Sequence, residues 1–262
     1  MQTRHKDRKQ YFEEQAGTAR EFYIKYVERF HEVSAGGRVL EIGCGEGGNL
    51  LPFAERGCKV EGVDLSLTRI RQAEEFFREA GYACRFTCRD FCATDFRSDA
   101  DKYDVILVHD VIEHIPQALK ERFLKNVRCS LAADGIAFFG FPAWQMPFGG
   151  HQQICRHRLS KIPWIHLLPA GFYEWLLRRS GESEDNVREL MSIREAATSI
   201  ERFEGLCHTA LLHIADRRLW LVNPHYLRKV GLKPRRVNSL LASIPYVRNF
   251  YTTGCFYLVK KK

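Results

Sequence analysis

The sequence predicts a doubly wound α/β fold, in which helices cover both faces of a mostly parallel sheet of seven strands. Two observations carry this prediction. Short apolar runs alternate with helix-like segments from residue 38 to residue 142, a pattern typical of parallel sheets buried on both faces. The first of these runs leads into a turn that holds four glycines, Gly43, Gly45, Gly47 and Gly48. Doubly wound sheets bind ligands at such a strand-to-helix turn.

The chain opens with a predicted helix. Apolar and aromatic residues recur at helical spacing between Tyr11 and Phe30, after a loose basic arm at residues 1–10, and the sequence SAGG at 34–37 ends the helix. We expect residues 1–33 to form a helical lid over the ligand crevice. Tyr23 and Tyr26 suit core packing in this helix better than contact with a ligand.

Five strands and three helices follow in alternation. The strands are predicted at residues 38–43, 59–65, 83–90, 103–111 and 135–142, and the helices at residues 47–56, 67–80 and 117–131. Right-handed crossovers between parallel strands make this a doubly wound sheet. The main domain is therefore expected to contain residues 34–142.

The alternation lapses at residues 143–197, a segment with three tryptophans, which we interpret as an inserted helical and aromatic substrate cap with a helix near 184–194. Thr198 and Glu201 have the spacing of a helix capping box, so the main domain resumes at residues 198–262. A strand, or two pieces of one, is predicted within LLHIADRRLWLV at 211–222. GCFYLVKK at 254–261 forms the last strand.

Composition sets broad limits on function. Of the 262 residues, 45% are hydrophobic and 27% are charged, which is ordinary for a globular protein. The net charge of +8 would favour an anionic partner but identifies none. Nine cysteines without a C-x-x-C pair indicate reduced thiols. With no signal peptide and no apolar run long enough to span a bilayer, we predict a cytoplasmic location.

The glycine turn leaves its ligand open. It matches both G-x-G-x-x-G, from Gly43, and E-x-G-x-G-x-G, from Glu41. Asp64 lies 19 residues after Gly45, at the end of the second strand, where an acidic side chain can bind ribose hydroxyls. Up to this point a nicotinamide dinucleotide and a ligand without phosphates fit equally well.

Three details separate these two kinds of ligand. Glu41 ends the first strand beside the turn, and its charge would repel a pyrophosphate but attract an ammonium or sulfonium group. Asp90 and Phe91 follow the third strand and suit the amino group and ring of adenine. Asp110 and His114 follow the fourth strand and should face the same crevice, because the carboxyl ends of parallel strands share one edge of the sheet.

These segments, in this order, resemble the class I S-adenosylmethionine-dependent methyltransferases. The resemblance rests on VLEIGCGEGG (39–48), Asp64, RDF (89–91), DVILVHDVIEHI (104–115) and LAADGIAFFGFP (131–142). It implies a Rossmann-like methyltransferase fold with S-adenosylmethionine as cofactor. It also implies ten cofactor-binding residues, from the methionine end to the adenine end and the neighbouring wall: Glu41, Gly43, Gly45, Gly47, Asp64, Leu65, Asp90, Phe91, Asp110 and Val111.

Two histidines are candidates for the catalytic base. His114 follows the fourth strand, close to where the methyl group is transferred, although it could instead only buttress the next helix. His151 follows the fifth strand in a segment where Gly149 and Gly150 are expected to give mobility, and it could equally be ordinary loop structure. No metal site is predicted: Glu113 is a single carboxylate, and a set of His151, Cys155 and His157 would lack a fourth ligand.

The methyl acceptor is predicted from sequence motifs that this chain lacks and from the inserted segment at 143–197. The chain has no N-P-P-Y-like sequence after the fourth strand and no Pro-Cys pair, so a nucleic-acid acceptor is disfavoured. We predict O-methylation of a small metabolite or a sugar-containing acceptor. The alternatives are an RNA or N-directed methyltransferase, an NAD-dependent oxidoreductase, and a cofactor-binding module without catalysis. The aromatic segment 161–181 has basic flanks, which would also suit a weak peripheral contact with a membrane.

Overall fold

The computed structural model describes residues 7–93 and 102–262. The strands, in chain order, are β1 Arg38–Ile42, β2 Lys59–Asp64, β3 Arg85–Cys88, β4 Tyr103–His109, β5 Leu131–Phe141, β6 Leu212–Val222, β7 Arg235–Arg236 and β8 Gly254–Lys261. The helices are α1 Arg8–Thr18, α2 Ile24–Val27, α3 Leu51–Glu55, α4 Leu67–Ala80, α5 Gln117–Ser130, α6 Ala170–Arg179, α7 Glu184–Ala196, α8 Ile200–Thr209, α9 His225–Val230 and α10 Ser239–Ser243. A π-helical turn, Ala19–Tyr23, joins α1 to α2.

The strands form one sheet in the order β3-β2-β1-β4-β5-β8-β6-β7. The five strands from β3 to β5 are parallel, and β8 runs antiparallel to β5 and β6. The chain reverses its direction of travel across the sheet between β1 and β4, and a crevice opens outside the carboxyl ends of strands at such a reversal. The predicted doubly wound, mostly parallel fold is confirmed. The added feature is β7, a two-residue eighth strand that pairs with Trp220 and Val222.

Two local predictions are corrected, for β5 and for the start of α8, and the open alternative for β6 is resolved. Strand β5 begins at Leu131 rather than at residue 135, because a bulge opposite Tyr103 and Val105 carries the pairing back to the end of α5. Strand β6 is one continuous strand with an irregularity between Ile214 and Asp216. Helix α8 is capped by Ser199, whose side chain accepts a hydrogen bond from the backbone N–H of Arg202, and not by Thr198.

Side chains from the two faces of the sheet form two separate cores. Leu40, Ile106 and Phe139 contribute to the core on one face, while Val39 and its neighbours in β4 and β5 contribute to the core on the other face. Successive residues of a strand point to opposite faces. The near-continuous apolar runs of the sequence are therefore explained by burial on both sides.

The N-terminal helix packs against the sheet and the glycine turn. Phe12, Tyr23 and Tyr26 are buried in the second core, in agreement with their expected role in packing. A Cβ built on Gly48 would lie 2.4 Å from the backbone oxygen of Phe12, so α1 lies directly on the turn. The basic arm was predicted too long, because residues 8–10 are helical, and residues 1–6 of that arm lie outside the described residues.

The segment from residue 143 to residue 197 has a small core of its own. Its buried side chains are Cys155, Ile165, Tyr173, Leu177, Val187 and Leu190. Glu182, between α6 and α7, connects these helices to the loop at residues 155–158, because its carboxylate accepts hydrogen bonds from the backbone N–H groups of Arg156 and His157. Helix α7 agrees with the helix predicted near 184–194. Along the described parts of the chain, every helix is too short or too polar to cross a bilayer.

Candidate active site

A cavity of about 640 Å³ lies at the carboxyl ends of β1, β2 and β4, the position that the strand order predicts. Its volume is within the range of about 300–1,000 Å³ that is usual for small-molecule sites. Its wall includes eight of the residues predicted from the sequence: Gly43, Asp64, Leu65, Asp90, Phe91, Asp110, Val111 and His114. Glu41, Gly45, Gly47 and His151 are not part of this wall.

The glycine turn needs its glycines for two different reasons. Gly43, Gly45 and Gly47 all have positive φ angles, of 70°, 52° and 83°, which side chains with a Cβ rarely adopt. At Gly43 space is also limiting, because a Cβ would lie 2.3 Å from Cγ2 of Val111. At Gly45 the space is open, with nothing within 4 Å of the same position. The turn therefore leaves room above its backbone for a ligand.

Asp64 joins the glycine turn to the second strand. It is 8% exposed, and its carboxylate accepts one hydrogen bond from the backbone N–H of Gly45, at 2.9 Å, and one from that of Ser66, at 2.8 Å. Each carboxylate oxygen can accept more than one hydrogen bond. The same oxygens can thus also receive hydroxyl groups from the cavity.

Glu41 lies beneath the turn and not in the cavity wall. Its Oε1 accepts a hydrogen bond from the amide of Asn49 at 2.7 Å, whereas its buried Oε2 has no partner. Burial is the largest of the effects that together raise the pKa of Glu41 to about 8; Asp64 and Glu46 also raise it, and the hydrogen bond from Asn49 lowers it. A cation placed near the turn would offset this cost of ionising Glu41.

Residues after β3 form the far end of the cavity. Phe91 is buried, and its ring packs against Phe123 with 5.5 Å between centroids. The Asp90 carboxylate accepts a hydrogen bond from the backbone N–H of Cys92 at 2.8 Å. Leu65 is 73% exposed beside them. This apolar and acidic end has the chemistry expected for an adenine ring and its amino group.

The end of β4 is strained and highly polar. Asp110 has a φ angle of 54°, a conformation that persists in a residue other than glycine only when its surroundings enforce it. The backbone N–H of Asp110 donates to the oxygen of Gly140, and the His109 ring lies 3.3 Å from the Asp110 carboxylate. The other ring nitrogen of His109 is 2.8 Å from the hydroxyl of Tyr23.

The two candidate histidines meet at this end of the crevice. The His114 and His151 rings are 5.1 Å apart between centroids, edge to face. Burial is the main effect that lowers the pKa of His151 to about 4, and His114 contributes to this lowering. His114 keeps an exposed edge, yet the packing around the rest of its ring lowers its pKa as well. Both imidazoles are therefore neutral near pH 7.

Glu113 lies with this histidine pair. Burial raises the pKa of its carboxyl well above the usual value, and Asp110 adds to this shift. Metal-ligating atoms of Glu113, His114 and His151 all lie within 4.8 Å of one another, which within the described residues is a combination found only here. The set of His151, Cys155 and His157 is not brought together, because Cys155 is part of the cap core.

The loop that holds His151 is closely packed at Gly149 and Gly150, the two glycines that were expected to give it mobility. A Cβ on Gly149 would lie 2.1 Å from the backbone oxygen of Trp144, and one on Gly150 would lie 2.4 Å from Cβ of His166. His151 itself has a φ angle of 56°. The two glycines therefore permit close contact between loop segments, and this contact fixes the position of the histidine.

Sequence reasoning missed several residues of the site. Ser66, Arg69, Arg89 and Glu189 also line the cavity. Ser66 and Arg69 could have been found from the sequence, because Ser66 comes two residues after Asp64 and its side chain caps α4 by accepting a hydrogen bond from the backbone N–H of Arg69. Glu189 comes from α7 of the inserted segment, and nothing local in the sequence distinguishes it from other polar residues of that helix.

Comparisons with known proteins agree with this fold. Residues 39–135 match a family model described as a methyltransferase domain. The chain is 28% identical over 119 residues to the ubiquinone biosynthesis O-methyltransferase of Actinobacillus pleuropneumoniae serotype 7. The aligned region covers 44% of this chain and 50% of that protein. The chain spans half or less of the length of the first curated relatives that it matches.

Solved structures share the fold of this chain. An S-adenosylmethionine-dependent methyltransferase from Clostridium acetobutylicum superposes with a TM-score of 0.60 at 16% identity, over 94% of this chain and 91% of that chain. The magnesium protoporphyrin IX methyltransferase of Synechocystis, solved with bound S-adenosylhomocysteine, gives a TM-score of 0.56 at 13% identity, over 95% and 84%. At these identities the likeness establishes the fold. Residues 39–135 thus match a methyltransferase domain, and the chain has the fold of the S-adenosylmethionine-dependent methyltransferases to which it is similar.

Proposed function

We propose that this protein transfers the methyl group of S-adenosylmethionine to a hydroxyl oxygen of a small metabolite or a sugar-containing acceptor. The proposal depends on one observation: two groups of residues with different chemistry border the same crevice. The glycine turn with Asp64 lies at one side of it, and the neutral pair of His114 and His151 lies at the other.

The residues present fit the cofactor. Open space above Gly45 leaves room for the methionine part, and the unpartnered Oε2 of Glu41 lies beneath the same turn. Asp64 has acceptor capacity left for ribose hydroxyls. When bound, the cofactor supplies an activated methyl group on a positively charged sulfur. The buried acidic groups around the turn favour a cation and disfavour a pyrophosphate.

On the acceptor side the chain has to orient a nucleophile and receive its proton. A base is most effective when its pKa lies near the working pH. The pKa of about 4 makes His151 a weak base, so we assign proton acceptance to His114 and orientation of the acceptor to His151. Asp110, whose own backbone has a φ angle of 54°, lies in the same cavity wall as Glu189, which comes from the inserted segment.

An oxygen acceptor is supported by two observations. The curated relative described above is named as an O-methyltransferase, although the alignment covers less than half of this chain. The candidate base is a neutral imidazole, which suits removal of a proton from a hydroxyl group. The uncharged state of both histidines also favours a neutral acceptor over a polyphosphate. We further propose a reducing, cytoplasmic location, since all nine cysteines are free thiols.

The proposal is tested in two steps. Calorimetry with S-adenosylmethionine, S-adenosylhomocysteine and NADH identifies the cofactor, and NADH binding alone would overturn the assignment. Transfer of a labelled methyl group to a panel of phenolic, sugar and amine acceptors then identifies the substrate class, with mass spectrometry locating the methylated atom. We expect His114→Ala to lower kcat while the cofactor Kd stays unchanged. His157→Gln is the matched control, because that histidine is outside the cavity wall.

Each other outcome supports a different function. A methylated nitrogen would favour the N-directed alternative, and methylation of RNA in place of the small acceptors would favour the nucleic-acid alternative. Cofactor binding without product from any acceptor would favour a module that has lost catalysis.

A further inference from the structure

Three polar side chains connect the N-terminal helices to the cavity wall. The buried hydroxyl of Tyr23 lies 2.8 Å from Nε2 of His109, and Nδ1 of the same ring lies 3.3 Å from a carboxylate oxygen of Asp110. Asp110 lines the cavity, and its side chain is 50% exposed. The polar row of Tyr23, His109 and Asp110 therefore runs from the core beneath the N-terminal helices to the crevice.

The position of the ring proton in this row follows from the chemistry of its two ends. A carboxylate only accepts hydrogen bonds, and a neutral imidazole carries its proton on one of its two nitrogens. Burial raises the pKa of Tyr23 well above the usual value for a phenol, and Asp110 adds to this shift, so the hydroxyl keeps its proton. Nε2 of His109 is the partner that the described residues offer this hydroxyl, and a buried hydroxyl that donated to nothing would be costly. A donating Tyr23 requires an unprotonated Nε2, which leaves the ring proton on Nδ1, facing Asp110.

The tautomer decides whether His109 attracts or repels Asp110. With the proton on Nδ1, the ring donates toward the carboxylate. With the proton on Nε2, the lone pair of Nδ1 would face the negative charge at 3.3 Å, and the carboxylate would turn away. That distance is slightly longer than a usual N–H···O hydrogen bond, so the contact depends on the attraction that the ring proton supplies.

Close packing keeps the imidazole in this orientation. The plane of the His109 ring lies 8° from that of the Phe138 ring, with 6.4 Å between centroids, and the Tyr23 ring stacks on Phe138 at 4.8 Å. A Cβ on Gly140 would lie 2.5 Å from Cδ2 of His109, so the glycine provides the space for the ring. The packing thus fixes which nitrogen faces which partner.

The backbone is unusual at both ends of the row. Tyr23 is the last residue of the π-helical turn Ala19–Tyr23, and such turns are rare and are frequently found at functional sites. Asp110 has a φ angle of 54°, a conformation that aspartate enters when its short side chain bonds locally. The ring proton of His109 supplies such a local partner.

We propose that Tyr23 and His109 are positioning residues, which hold the Asp110 carboxylate toward the cavity so that the cavity favours a cationic ligand over its neutral counterpart. Tyr23 acts through His109, and neither side chain is part of the cavity wall. The effect on the cofactor rests on the proposed function, whereas the row itself does not. The positively charged sulfur of S-adenosylmethionine should gain more from this carboxylate than the neutral sulfur of S-adenosylhomocysteine.

The first test measures the tautomer of His109 and needs no cofactor. In protein with ¹⁵N-labelled histidine, the chemical shifts of the two ring nitrogens show which of them carries the proton, and the spectrum of His109→Asn identifies the His109 signals. At about pH 8, where an ordinary imidazole is neutral, we expect the proton on Nδ1. Tyr23→Phe should abolish this preference, whereas Tyr26→Phe should preserve it, because Tyr26 is equally buried but packs against Arg218. A proton on Nε2 or on both nitrogens in the unaltered chain overturns the proposal, as does a tautomer that Tyr23→Phe leaves unchanged.

The second test measures the preference for a cation by calorimetry with S-adenosylmethionine and S-adenosylhomocysteine. Tyr23→Phe should weaken binding of the first compound about two- to tenfold, the range expected for one hydrogen bond, and binding of the second compound less. The same change in an Asp110→Asn background should have no further effect, because the positioned charge is already absent, and asparagine tolerates the positive φ angle of this position. Equal weakening of both compounds, or undiminished weakening in the Asp110→Asn background, overturns the positioning role and indicates a general loss of stability.

The outcomes separate this inference from the proposed function. Binding of neither compound by the unaltered chain would refute the proposed function, while the tautomer of His109 would still decide the positioning role. If Tyr23→Phe fails to fold, the tautomer in the unaltered chain and the affinities of Asp110→Asn decide. The Nδ1 tautomer and a reduced preference for the charged compound are then both required.

Discussion

Replacing Asp64 should separate cofactor binding from general stability. Both oxygens of its carboxylate accept backbone N–H groups, from Gly45 at 2.9 Å and from Ser66 at 2.8 Å. Asp64→Ala leaves these two donors without their acceptor and removes the group that we assign to the ribose. Asp64→Asn keeps the volume, but its amide nitrogen must then face one of the two N–H donors, so it too is expected to impair the site.

The expected magnitude follows from the hydrogen bonds involved. A hydrogen bond to a charged group contributes about 1.5–3 kcal/mol, and about 1.4 kcal/mol corresponds to a tenfold change in affinity. Loss of even one ribose bond to Asp64 should therefore weaken S-adenosylmethionine binding at least about tenfold. Loss of the two backbone bonds should lower the free energy of unfolding by about 1–3 kcal/mol, since water can replace part of what is lost.

Isothermal titration calorimetry with S-adenosylmethionine and S-adenosylhomocysteine measures the affinity, and urea unfolding measures the stability. Glu61→Gln is the matched control, because Glu61 lies on the same strand but pairs with Arg38 and Tyr103, outside the cavity wall. Unchanged cofactor affinity in folded Asp64→Ala would refute the ribose assignment. Equal weakening by Asp64→Ala and Glu61→Gln would show that the effect is a general loss of stability.

Three further predictions concern other parts of the site and the surface. The pKa of Glu41 is raised from 4.5 in the unfolded chain to about 8 in the folded chain. The protonated carboxyl therefore contributes stability that is fully present below pH 4.5 and is lost as the pH rises to about 8. The melting temperature of ligand-free Glu41→Gln should fall less over this pH range than that of the unaltered chain. Gly43→Ala should destabilise the fold by about 1–3 kcal/mol through its clash with Val111, and Val111→Ala should restore part of the melting temperature. Trp175 is 56% exposed and stacks on Phe172, so we expect Trp175→Ala to reduce flotation with anionic liposomes at low salt; no flotation of the unaltered chain would remove the membrane contact.

The features that the sequence predicts correctly depend on local signals. Helix α4 has its expected bounds because Ser66 caps its start and Gly81, with a φ angle of 77°, ends it. The cofactor side follows from similar reasoning. Asp64 and Asp90 could be placed because the ends of parallel strands share one edge of the sheet, so a strand prediction also fixes the position of the residue after it.

The acceptor side could not be predicted in the same way, because its contacts join distant segments. The Thr198 hydroxyl looked like a helix cap, but the ammonium of buried Lys120 donates to it. Glu189 reaches the cavity only through the packing of α7. Such pairings depend on how the inserted segment folds against the sheet, and no periodicity or spacing in the sequence encodes that arrangement.

The distribution of strain indicates where this chain differs from a generic cofactor site. Among the described residues, five that are not glycines have positive φ angles. Asp110 lies in the cavity wall and His151 lies beside His114, whereas Trp164, Leu211 and Tyr246 lie outside that wall. The positive φ angles of the cofactor turn belong to Gly43, Gly45 and Gly47. Strain of this kind costs about 1–3 kcal/mol per residue and persists only when the surrounding packing enforces it. The rigid, close-packed loop around His151 provides that packing. We propose that the inserted segment, which places His151 beside His114, contributes to acceptor selectivity.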